Sequence, residues 1–248
     1  MKKNKNIDAG GLAFSELNDI IRKAGDCVIE NACGQRFIAA GMSYRDIKIH
    51  GTPGNALGAY LNGGSIEVFG NAQDAVGDTM NAGSIIVHGS IGDAAGYAMR
   101  GGEIYVKTDA GYRAGIHMKA YKEKVPVMVI GGRTGSFLGE YQAGGIIIVL
   151  GLNQDNKPIV GNFPSTGMHG GKLYLRSKCK DIIFPKQVNL NPASEEDLKD
   201  IEKYVKKYCE LFHADFKTVM SGDFTVVTPD SKIRTSRCTC KTKIDLEE

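Results

Sequence analysis

The chain has 248 residues, enough for one sizeable core, with 31 lysines and arginines against 28 aspartates and glutamates. A net charge of +3 with no basic run interleaved with aromatics argues against a nucleic-acid surface. No apolar run approaches a membrane span, so no membrane segment is expected. The opening MKKNKNIDAGG has no apolar stretch behind its basic residues, which excludes a secretory signal there. The six cysteines (Cys27, Cys33, Cys179, Cys209, Cys238 and Cys240) are too dispersed for a disulfide framework, so a reduced, cytoplasmic chain is expected.

In chain order, residues 1–25 read as an N-terminal cap. Ser15 and the apolar Leu17, Ile20 and Ile21 predict a short helix over 15–23 that covers the open end of the repetitive core. A repeat of G-x-x-G-x-x-x-G then dominates the chain. It occurs at Gly51, Gly54 and Gly58, at Gly89, Gly92 and Gly96, and at Gly132, Gly135 and Gly139. Between these lie Gly70 and Gly77 with Gln73 in the middle place, and Gly111 and Gly115 preceded by Thr108. From Gly58 to Gly77, Gly96 and Gly115 the step is 19 residues each time. Other columns keep the same step: Ile47, Ile66, Ile85 and Ile104; Ile49, Val68, Val87 and Val106; Leu61, Met80, Met99 and Met118.

The apolar-x-apolar pairs have the period of a strand. Single short strands separated by glycine-rich stretches fit neither a hairpin nor a βαβ unit. One strand per coil, stacked in register on the next, is the remaining solution. The sequence therefore predicts an all-β, right-handed, single-stranded parallel β-helix over about 26–176, with six to seven coils. A degenerate first coil starts near Asp26, with Val28 in the isoleucine column. A five-residue insertion falls in 120–126, and Leu173 and Leu175 continue the columns. The glycines of the repeat are read as corners, either with positive φ or where no side chain fits. A phosphate loop would occur once, before a helix, and this motif does neither.

Residues 177–248 form a C-terminal extension. An amphipathic helix is predicted over about 194–212, with Leu198, Ile201, Val205, Tyr208 and Phe212 on one stripe that packs on the β-helix or on a partner. Residues 220–229 can add a strand, and 230–248 read as a polar tail.

No residues are assigned to catalysis, to a cofactor or to a metal. The five histidines, His50, His88, His117, His169 and His213, read as surface imidazoles, and no nucleophile–base motif is present. Cys238 and Cys240, with Cys209 or His213, do not have a standard zinc spacing. Asn55, Asp74, Asp93 and Tyr112 are 19 apart and read as solvated corner caps, a calcium ladder being the sharper alternative. The outward strand positions Glu67, Ile86 and Tyr105, with Phe69, His88 and Lys107, give no repeated carboxylate pair of the kind a carbohydrate-acting β-helix enzyme would carry.

Several stretches carry a family resemblance: IDAGGL at 7–12, HGTPGNALGAY at 50–60, GNAQDAVGDTMNAG at 70–83, GYAMRGGEIYV at 96–106, AGIHMKAYKEKVPVMVIGG at 114–132 and STGMHGG at 165–171. Together they make the chain similar, over about 7–220, to the C-terminal G-XX-G-XXX-G domain of the glutamate synthase large subunit in stand-alone form. A subunit of formylmethanofuran dehydrogenase shares that fold family. The resemblance implies a non-catalytic structural part. A glutaminase and an FMN barrel with an iron–sulfur cluster would be its partners, and those cofactors would sit on them. A scaffold of the formylmethanofuran dehydrogenase type and an independent enzyme acting on carbohydrate are the alternatives. Self-association into a homo-oligomer stays open.

Overall fold

The computed structural model describes residues 5–152 and 157–230. Their strands are β1 (Lys5–Asp8), β2 (Cys27–Cys33), β3 (Asp46–Thr52), β4 (Asn62–Phe69), β5 (Ala82–Val87), β6 (Glu103–Val106), β7 (Val127–Ile130), β8 (Ala143–Val149), β9 (Gly170–Leu175), β10 (Val188–Pro192) and β11 (Thr225–Pro229). The helices are α1 (Phe14–Ala24), α2 (Glu195–Phe212) and α3 (Phe216–Met220). Strands β1 to β9 pair in parallel in chain order, giving a β-solenoid of about eight turns with one strand per turn.

The isoleucine, valine and methionine columns face inward. Ile66, Ile85, Ile104, Met128 and Ile147 are fully buried, and the register sets each beside the next. Burying each such side chain contributes about 1.5–3 kcal/mol. The step from Glu103 to its partner Val127 absorbs the insertion, which folds as a small bridged loop between Tyr121 and Lys124. Across the core, single bridges link Ala72, Ile91, Ala110, Thr134 and Val160 into a second wall.

The ladder begins earlier than Asp26. β1 pairs with β2, and α1 lies in the turn between them, with Leu17 and Ile21 buried in the solenoid core. In β2 the inward residues are Cys27 and Ile29, which pair with Ile47 and Ile49, while Val28 pairs with Lys48. The expectation for Val28 is thus off by one residue, which puts it on the opposite face. The register shifts between Ile29 and Ala32, where Asn31 has φ 58°, and the step returns to 19 once Ala32 meets Gly51.

The far end of the solenoid is closed by antiparallel pairing. β11 lies against β9, with Val227 in the core, and β10 lies against β11. This turns the exposed edge of the last coil into a paired strand.

Candidate partner-binding surface and corner ladders

Each corner carries three left-handed residues spaced two apart, as in Ala94, Gly96 and Ala98 (φ 54°, 66° and 48°). The middle one points inward. At Gly96 the left-handed conformation favours glycine, while a Cβ there would meet the flexible methyl end of Met128. Gly58, Gly77, Gly115 and Gly139 hold the same place with φ of 63–70°. Alternate backbone N–H groups reach in opposite directions: Gly96 donates back to Val76 (2.7 Å), and Ala98 donates forward to Ile116 (2.9 Å). The N–H groups between them close turns within the coil, as Tyr97 does on Ala94 (3.2 Å) and Met99 on Gly96 (3.2 Å), so the corner backbone is satisfied both between and within coils.

The earlier glycines of each motif do a different job. The Asp74 Oδ1 accepts the backbone N–H of Asp93 at 2.9 Å, and it sits where a Cβ on Gly92 would stand. Asp93 repeats this over Gly111, accepting from Tyr112 at 2.8 Å. Asn71 does so over Gly89, accepting from Ser90 at 2.9 Å. Asp109 does so over Gly132, accepting from Arg133 at 2.7 Å. Where Gln73 replaces the glycine, the bond from the Asp74 N–H to Asn55 is the long one, 3.3 Å. Asp74 and Asp93 are solvent-exposed caps, as expected, and each caps the backbone of the following coil, so the column is a capping ladder. Among the described residues no group of three or more histidines, cysteines or carboxylates is arranged to hold a metal ion. Cys238 and Cys240 lie outside the described residues.

The outward face of the sheet is not free. Ile86, Tyr105, Val129, Ile148 and Tyr174 form a second core with Ile201, Tyr204, Val205 and Tyr208 of α2. Ser194 and Asp197 cap α2 reciprocally, and Lys172 of β9 reaches Asp197 (3.1 Å) and Asp200 (3.0 Å). Burial lifts the Tyr105 and Tyr208 phenols well above their ordinary pKa and pushes Tyr174 up to about 12. The Tyr208 hydroxyl donates to the Lys107 carbonyl oxygen at 2.8 Å. The partner for the apolar stripe of α2 is therefore the solenoid itself.

The histidines are less solitary than surface imidazoles. His50 stacks on Phe69 (4.7 Å), Phe69 on His88 (4.9 Å), and His88 meets the Phe212 edge (5.3 Å). His88 also bonds to Glu67 at 2.9 Å. His117 stacks on Tyr141 at 5.2 Å. His169 and His213 join no ring stack among the described residues.

What remains open is the corner edge. Its outward left-handed positions present Phe37, Tyr60, Tyr141 and Phe163, with Tyr44 beside them 87% exposed. Phe137 and Phe163 stack at 5.4 Å, and the Arg113 guanidinium lies 5.0 Å over Phe137. Rings held by stacking and an arginine are the residue types enriched where proteins meet. Sequence columns locate the corners, but only the left-handed φ values show which residues project from them.

A β-solenoid with a closed end, a helix-covered face and one aromatic edge defines a class of β-helix domains. The chain belongs to the GXGXG motif family, whose model matches residues 12–230. It is 44% identical over 241 residues to "Uncharacterized protein MJ1350" of Methanocaldococcus jannaschii, covering 91% of this chain and 92% of that protein. The fold also resembles a chain of the formyltransferase/hydrolase complex (FhcABCD) from Methylorubrum extorquens, solved with methylofuran. That likeness has a TM-score of 0.62 at 18% identity, over 93% of this chain and 92% of that one. No helix among the described residues is long and apolar enough to cross a membrane.

Proposed function

We propose that the chain is a structural subunit, without a catalytic site of its own, of a cytoplasmic glutamate-synthase-like complex that makes glutamate from glutamine and 2-oxoglutarate. A glutaminase subunit and an FMN-barrel subunit are its partners, and FMN and an iron–sulfur cluster sit on the latter. The observation that supports this reading is the extent of the family match, nearly the whole chain, together with the quoted stretches that run along it in order. The aromatic corner edge offers a docking surface of suitable chemistry.

A second reading is a scaffold of the formylmethanofuran dehydrogenase type. It is favoured by the likeness of the fold to a chain of the formyltransferase/hydrolase complex. Co-purification from native extract separates the two. Recovery with an amidotransferase and a flavoprotein supports the first. Recovery with a molybdenum or tungsten protein supports the second. Recovery with neither counts against both, and turnover of a polysaccharide by the isolated chain overturns the scaffold reading.

A further inference from the structure

The capping ladder has to end somewhere, and it ends beside a cavity. Ser136 Oγ accepts the Asn162 backbone N–H at 3.0 Å, in the same column as Asn55, Asp74 and Asp93. Asn162 belongs to the last coil, so its own side chain has no following N–H to cap. That side chain makes no hydrogen bond to any described residue. A cavity of about 570 Å³ opens at this place, between the last two corners and the segment after β9. That volume lies in the range of small-molecule sites.

Arg133 also lines this cavity. The phase of its coil sends Thr134 into the core wall with Ile91 and Val160 and leaves Arg133 on the outer side. Among the described residues its buried Nε has no acceptor and its guanidinium forms no ion pair. This is so although Asp109 and Asp181 line the same cavity. Asp109 is committed to the Arg133 backbone N–H at 2.7 Å. A buried guanidinium edge without an acceptor is costly, and its fork matches a carboxylate in geometry. Lys157 adds a second cation, while Val160, Phe163 and Ile182 supply an apolar wall.

We propose that this terminal cavity binds a small organic monocarboxylate, with the carboxylate on Arg133 and Asn162 and the apolar body against Val160 and Ile182. The two aspartates offset Arg133 and Lys157, so the lining is close to neutral and disfavours a doubly charged anion such as phosphate.

Titration of the full chain with hexanoate, followed by calorimetry, tests the proposal, with hexanol and inorganic phosphate as controls. Hexanoate is expected to bind, and Arg133→Met to weaken it about ten-fold or more. Asn162→Ala, on the exposed end of the ladder, is expected to weaken it less while leaving the fold intact. Three results would overturn the proposal: no hexanoate binding in the millimolar range, phosphate binding as tightly as hexanoate, or hexanoate affinity unchanged in both variants.

Discussion

The Asp74 carboxylate and the Asp93 backbone N–H, 19 residues apart in sequence, are joined at 2.9 Å, and the carboxylate occupies the space that a side chain on Gly92 would need. Glycine and aspartate in these corners are therefore one device. Gly92→Ala is expected to destabilise by displacing that carboxylate. In an Asp74→Ala background the same change should cost less, with a coupling of about 0.5 kcal/mol or more. Urea unfolding of the two single variants and the double variant measures it; strict additivity would mean the two residues act separately.

Thr134 stands in a wall of apolar neighbours, and its hydroxyl is buried without a partner among the described residues. Thr134→Val keeps the shape and removes the unpaired group. It should stabilise by about 1 kcal/mol, raising Tm by about 2–4 °C. A fall in Tm on thermal unfolding would show that the hydroxyl is satisfied in solution.

Met99 is fully buried in the methionine column. Met99→Ala should cost about 2–5 kcal/mol through the cavity it leaves. Gly96→Val should cost about 1–3 kcal/mol, since a β-branched residue in a left-handed conformation is strained. Denaturant midpoints of both variants read these losses, and a cost for Met99→Ala under about 0.5 kcal/mol would contradict the burial.

Tyr208 joins α2 to the sheet in two ways, through ring burial and through the bond to the Lys107 carbonyl. Tyr208→Phe removes only the bond and should cost about 1 kcal/mol. Tyr208→Ala should cost about 3–5 kcal/mol. Equilibrium unfolding followed by helix and by tyrosine signals would show whether α2 leaves the solenoid before the solenoid opens.

The repetitive coils were legible because translation along a stack imposes one period on every buried column, so Ile66, Ile85 and Ile104 announce one another. Where the stack is not uniform the signal fades. In β2 a bulge at Asn31 breaks the step, and period counting places Val28 on the wrong face. β1 repeats no glycine motif, and β10 and α3 repeat nothing, so pairing at both ends had to be seen in space. The stripe on α2 declared a buried face that packs on the β-helix or on a partner, but no periodicity singled out the outward column through Ile86 and Tyr105 as its target. The cavity at Arg133 and Asn162 is built from two coils and the segment beyond β9, and no local motif joins them.

Bonded to its neighbours through both strand and corner, each coil presents its successor with the surface that it received. Length in such a molecule is quantised, in increments of about 4.8 Å along the axis. Removing residues 84–102 would bring Ser65 opposite Glu103 with every column restored, as those registers already match through Ser84. Groups fixed to different coils are thus held at set spacings, and the solenoid serves as a graduated ruler between whatever it carries.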